Sequence, residues 1–295
     1  MTTVVSGFAS TSSKANGNGN GSGTEFLSML QPAREALKDW DNTKPYDQQS
    51  TSIPQVFRDA MSVREEVYGQ QGVPLEAEFD EDDARSWHWV VYASVAQTSS
   101  PPPPQALKSR PDSKAEEKRR SSASATRLPV GTIRLVPPPH PPNKYVEGDK
   151  HPDADPPENV IESSDKKHPE EPFIKLGRLA ILDSYRSLGL SKLLINHALD
   201  YAAKNPDSIR PPPSPTTLEH ANQMGKAIEQ AATWEGLTMV HAQVSVERLW
   251  AKHGFTEELR SEDGQVEITK EDHWIEEGIE HLGMWRRLKL DPGRL

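Results

Sequence analysis

Residues Leu176–Ala203 read LGRLAILDSYRSLGLSKLLINHALDYAA, and two periodicities meet inside them. Leu176, Leu179, Ala180, Ile181 and Leu182 form an apolar run of strand length, ended by the turn formers Asp183 and Ser184. From Leu190 the apolar residues Leu193, Leu194, Ala198, Tyr201 and Ala202 recur at helical spacing. Between the two lies Arg186-Ser187-Leu188-Gly189-Leu190-Ser191. A glycine there lets the chain turn sharply, and the helix start adds unpaired N–H groups and about half a positive charge. Such a turn can hold a phosphate, and it can equally be a plain strand-to-helix connection. The fingerprints G-x-G-x-x-G and G-x-x-x-x-G-K-[ST] are absent, which disfavours a nicotinamide enzyme or a phosphate-loop NTPase.

These residues resemble the GNAT superfamily of acetyl-CoA-dependent N-acetyltransferases, whose pyrophosphate loop reads Arg/Gln-x-x-Gly-x-Gly/Ala between a strand and a helix. Arg186, Gly189 and Ser191 fall on its fixed positions, with Ser191 in place of Gly or Ala. The resemblance implies that Arg186, Ser187, Leu188, Gly189, Leu190 and Ser191 hold the pyrophosphate of acetyl-CoA, the co-substrate. It also implies that Leu179, Ala180 and Ile181 pair with the pantetheine arm. Its fold would be α/β (α+β), a mixed, mostly antiparallel central sheet flanked by helices.

Two further stretches extend the likeness. Gln243, Gly254 and Phe255 match the family's later strand, helix and Gly-Phe, while Val246, Leu249 and Trp250 replace Ala, Phe and Tyr. Gln243 and Trp250 are thereby expected beside the cofactor. The family's tyrosine commonly protonates the departing CoA thiolate, and an indole N–H is too weak an acid for that. Gln70-Gln71-Gly72-Val73-Pro74 followed by Glu78, Asp80 and Asp83 resembles one branch of the family, and Trp274–Met284, with His281, resembles that branch's ending. The likeness runs from about Val56 to Leu288.

Composition sets the outer limits. Of 295 residues only 34% are hydrophobic and 26 are proline, and the apolar segments are islands in polar, proline-rich sequence. One domain at about 25–295 is expected, after a disordered tail at 1–24 and interrupted by low-complexity insertions at about 97–127, 137–172 and 205–216. The net charge of −10 argues against nucleic acid as a partner. With no cysteine, thiolate metal sites and cysteine nucleophiles are excluded, and no metal is expected. There is neither an apolar run of membrane-spanning length nor a secretory leader, so a cytoplasmic protein, with the nucleus possible, and no membrane partner are expected.

Along the chain, 25–40 offers a first strand and a short helix, and Val56, Phe57, Ala60, Val63, Val67 and Tyr68 mark a helix ended by Gly69. Strands are expected at Trp87–Ala96, Val130–Val136 and Leu237–Val244, and a helix at Thr217–Trp234. A meander through the first two strands into 173–182 places the insertion bearing Lys114, Lys118, Arg119 and Arg120 at the glycine-turn end of the sheet, near the ligand's phosphates. Composition alone makes it a mobile linker and the acidic run Glu78–Asp83 a solvated loop.

The resemblance implies an N-acyltransferase that passes acetyl from acetyl-CoA to a primary amine of a small molecule or protein by direct attack, without an enzyme nucleophile. Glu78, Asp80 and His281 are the candidate catalytic groups for taking the amine's proton. His281 reads equally well as a structural histidine near a strand start. The alternative is a catalytically weak or inactive GNAT-fold protein that binds acyl-CoA, or one whose proline runs, such as Pro101–Pro104, meet a proline-recognition domain.

Overall fold

Trp87, Trp89, Val91 and Ala93 are buried on one face of a strand, and His88, Val90 and Tyr92 on the other. Such a strand must sit inside a sheet covered on both sides. The computed structural model, which describes residues 26–96, 125–140, 169, 171–211 and 233–291, shows how. The strands are β1 (Leu27–Leu30), β2 (Trp87–Ala96), β3 (Ala125–Val136), β4 (Ile174–Ile181), β5 (Leu237–Gln243), β6 (Leu259–Arg260), β7 (Val266–Ile268), β8 (Trp274–Glu276) and β9 (Ile279–Arg287). Seven form one sheet in the order β1-β2-β3-β4-β5-β9-β8, and β6-β7 is a separate ribbon. Every pairing in the large sheet is antiparallel except β4 with β5. This is the mixed, mostly antiparallel sheet flanked by helices that the sequence led us to expect.

Helix α1 (Gln55–Gly69) covers one face, with Ala60, Val63 and Val67 against Val90, Tyr92 and Ala180. Helix α2 (Leu190–Lys204) covers the other and forms the main core: Leu194, Ile195 and Ala198 meet Ile133, Leu135, Leu176, Val240 and Met284. Leu194 is fully buried, so its truncation to Ala would cost about 2–5 kcal/mol. Two short helices follow, α3 (Pro206–Ile209) and α4 (Glu247–Ala251). None of the helices described is long and apolar enough to cross a membrane.

Several boundaries differ from the sequence reading. β3 begins at Ala125, so it takes in the last residues assigned to the first insertion; Arg127 stacks its guanidinium 4.1 Å from the Tyr92 ring, a contact no local pattern encodes. The segment after α2 folds on as α3, because Ile209, 4% exposed, closes the base of the main core. Residues 34–39 form turns rather than a helix, and Leu37 inserts beside Ile53, Phe57 and Met61. In the meander the ends of β2 and β3 joined by the first connection and the ends of β3 and β4 joined by the second are at opposite ends of the sheet. The tail, Lys114–Arg120, Pro101–Pro104 and the helix expected at 217–234, up to residue 232, lie outside the described residues.

Candidate functional site

β4 and β5 pair only where Ile174, Lys175 and Leu176 face Thr238, Met239 and Val240. Beyond Val240 β5 stays paired with β9, and beyond Leu176 β4 stays paired with β3, so the two strands part and a cleft opens between them. The β3–β4 register shifts between Thr132 and Arg134, opposite Arg178, which has φ +50°. An irregularity of this kind bends a strand and re-aims its backbone groups. Leu182 N–H donates to Val130 C=O at 3.0 Å, which makes Gly131–Ile181 a pair without mutual hydrogen bonds. The amides of Ile181 and, two residues back, Leu179 therefore point away from β3, into the cleft. Their carbonyls there accept from Arg186 Nε and the Tyr68 hydroxyl, each at 3.2 Å. Ala180 faces β3 instead.

At the end of β4 the chain makes the turn that leads into α2. Arg186, Ser187, Leu188 and Gly189 are exposed and Ser191 is half-buried, while Leu190 anchors the helix in the core. Ser187 and Gly189 have φ of +65° and +77°. Left-handed residues of this kind turn successive N–H groups to one side and form an anion-binding concavity. Gly189 is the helix N-cap without a side-chain cap, and a Cβ built on it would meet nothing within 4 Å. The first turn of α2 thus presents its amides to open space. Arg186 folds back to pair with Asp183 at 2.6 Å, an exposed contact of small energetic weight.

The face of the sheet under α1 carries a buried charge network in place of the solvated loop. Arg64 of α1 binds Asp83 at 2.7 Å and the Glu78 carbonyl oxygen. Arg134 of β3 binds Asp80 at 2.6 Å and Asp83 at 2.9 Å, and Arg178 of β4 binds Asp80 at 3.0 Å. His88 Nε2 donates to the Asp83 carbonyl oxygen at 2.9 Å. Burial pushes the Asp80 and Asp83 carboxyls up, but the guanidiniums outweigh it and hold both below the usual carboxylate range. Glu78 differs. Burial raises its carboxyl despite Arg64 and Arg178, and neither carboxylate oxygen has a hydrogen-bond partner among the described residues, with Arg64 Nε 3.5 Å away.

Next to this network, where the strands part, Gly177 leaves a hollow: a Cβ there would meet nothing within 4 Å among the described residues. Lys175 precedes it on the same face of β4, and His241 lies across on β5. His241 packs edge-on against Trp274 at 4.7 Å, and its Nε2 is buried with no partner among the described residues. Burial, and then Lys175, hold its imidazole neutral. His281 faces Gln243 across β5–β9, stacks on Trp274 and donates from Nδ1 to the Ile279 carbonyl oxygen at 2.8 Å. Gln243 donates to Gln71 at 2.7 Å, joining the end of β5 to the turn after α1.

No protein-family model matches the chain, and no curated protein does. Solved structures similar to it include Escherichia coli ElaA, 14% identical with a TM-score of 0.36 over 82% of this chain and 95% of that one. An acyl-CoA N-acyltransferase from Pseudomonas aeruginosa is 13% identical, with a TM-score of 0.34 over 82% and 95%. Arabidopsis thaliana NAA60 in complex with acetyl-CoA is 13% identical, with a TM-score of 0.31 over 89% and 99%.

Leu179 and Ile181 turn their amides to the cleft side of β4 while Ala180 faces β3, and the turn from Arg186 to Ser191 follows on into α2. Glu78 and Asp80 share the loop between α1 and β2, within the charge network, and His281 is on β9. Trp250 stands apart. It is 3% exposed in the main core, edge-on to Phe255 at 5.3 Å. The sequence reading missed Lys175 and His241, whose strand positions carry no motif, and took Tyr68 only as a helix residue. A separate cavity of about 670 Å³, lined by Arg34, Arg85, Trp87 and Ser208 among others, opens at the other end of the sheet. Among the described residues no cluster of His, Asp or Glu could hold a metal ion.

Proposed function

We propose that the protein is an acetyl-CoA-dependent N-acyltransferase acting on a primary amine of a small molecule or a protein. The parting of β4 from β5 beside the open Arg186–Ser191 turn carries this reading. The amides of the turn and the first turn of α2 bind the pyrophosphate, and the cleft-facing amides of Leu179 and Ile181 hold the pantetheine arm. Acetyl-CoA supplies the thioester, whose carbonyl carbon the amine attacks directly. Alignment of the two reactants in the cleft and strand N–H groups aimed at the carbonyl oxygen supply the rate.

The amine must shed a proton. Of the three candidate groups, Asp80 is already shared by Arg134 and Arg178 and acts as a fixed charge that orients them. Glu78, with its raised carboxyl and unbonded oxygens, takes the proton through water, and His281 stands at the outer end of the same face.

The placement of Trp250 favours a second reading, binding of acyl-CoA without turnover. A buried indole offers no acid to a thiolate leaving the cleft. Acetyl-CoA consumption with a panel of amines decides between them, alongside calorimetric titration with CoA, dephospho-CoA and desulfo-CoA. Binding with amine-dependent release of CoA thiol supports the transferase; binding with no release for any amine supports the second reading; no binding removes both.

A further inference from the structure

Lys175 sits within the three-residue stretch where β4 still pairs with β5, immediately below the point at which the strands part. Alternation along β4 puts it on the α1 face with Gly177, whereas Leu176 points into the main core. Two strand residues span about 7 Å, close to the reach of a lysine stem, so a Lys175 side chain extended along β4 would carry its ammonium over Gly177, where a Cβ would meet nothing within 4 Å. Lys175 is half-buried, yet its Nζ has no hydrogen-bond or ion-pair partner among the described residues. The nearby carboxylates of Asp80 and Asp83 are bound by Arg134, Arg64 and Arg178.

We propose that Lys175 is itself an acyl acceptor, modified by an acetyl thioester held in the cleft. The inference rests on the N-acyltransferase reading of that cleft. The neutral Nζ attacks the thioester carbonyl carbon and the C–S bond breaks. The sulfur leaves with the electron pair and takes up the proton that the nitrogen sheds. The products are an amide on Lys175 and CoA thiol. No oxidant or second reactant is needed.

The surroundings favour the neutral amine. Burial, and then Arg134 from β3, lower the ammonium to about 8, opposed by Glu276 of β8 and by Asp82 and Asp80 of the loop. The other groups facing it, His241 of β5 and His140 after β3, are kept neutral mainly by burial, so neither supplies a counter-charge.

The test uses the full chain with acetyl-CoA and no added amine. Intact mass and peptide mapping read the acetyl groups, with and without excess desulfo-CoA, and binding of desulfo-CoA is titrated in parallel. The expected result is binding, together with one acetyl group per chain at Lys175. That group is lost when desulfo-CoA fills the cleft, forms faster as the pH rises through about 8, and is absent in Lys175→Arg. Binding without acetyl at Lys175, or acetylation that desulfo-CoA leaves unchanged, overturns the inference while the cleft reading stands. Absence of binding overturns both.

Discussion

The hydroxyl of Tyr68, on α1, donates to the carbonyl oxygen of Leu179, on the free edge of β4, at 3.2 Å. This bond ties the helix to the strand segment that has left β5, on the side that β3 does not pair. Tyr68→Phe should lose about 0.5–1.5 kcal/mol in urea unfolding and raise the KM for acetyl-CoA. Burial pushes the phenol up to about 12, so the pH profile between 6 and 9 should keep its shape. An unchanged KM would separate Tyr68 from cofactor positioning.

The charge network is strong only while complete. Arg64 and Asp83 are 1% and 0% exposed, so Arg64→Met leaves the carboxyls of Glu78, Asp80 and Asp83 with two guanidiniums in place of three. We expect a loss of about 3–5 kcal/mol in chemical denaturation. The double variant Arg64→Met, Asp83→Leu should recover part of it, because it strands one buried charge fewer.

His88 makes stability depend on acid. Burial lowers its imidazole from the ordinary 6.5 to about 4. Between those values the unfolded chain binds a proton that the folded chain does not, so stability is full above about 6.5 and falls as the pH drops towards 4. Its share is about 3 kcal/mol, to order of magnitude. Melting temperature measured from pH 7 to 4.5 should fall less steeply in His88→Gln than in the parent. Equal slopes would show that other groups set the acid limit.

At Gly189 backbone strain and steric crowding separate cleanly. A Cβ would touch nothing, while φ of +77° disfavours any side chain. Gly189→Ala should cost about 1–2 kcal/mol and weaken CoA binding as the turn relaxes, with the core unaltered by near-ultraviolet dichroism.

Glu78→Gln tests the proton acceptor. The carboxyl is raised, so the parent's kcat/KM should fall as the pH drops through its ionisation, and the variant should lack that limb. The Arg64–Asp83 pair remains, so folding should be nearly unaffected. A variant with the same profile would reject Glu78 as the base.

The strand-turn-helix at 176–203 and the helix at 55–69 were legible because each repeats its apolar period over many residues. The Arg186–Ser191 turn was legible because its glycine and helix start act locally. The acidic run Glu78–Asp83 was misjudged as solvated. Its partners Arg64, Arg134 and Arg178 lie 14 to 98 residues away, and no local pattern joins them. Ile209 was read as linker for the same reason, since what it buries against is remote in the chain.

The sequence by itself determined the strand, turn and helix at 176–203 and the helix at 55–69, because periodicity, turn residues and helix ends act over a few residues. Only the tertiary structure decided that β4 leaves β5 after Leu176, that the loop carboxylates are neutralised from three elements, and that Lys175 and His241 flank an open hollow. Those outcomes depend on strand register and on contacts between distant segments, and a one-residue slip in register would turn each of those side chains to the opposite face.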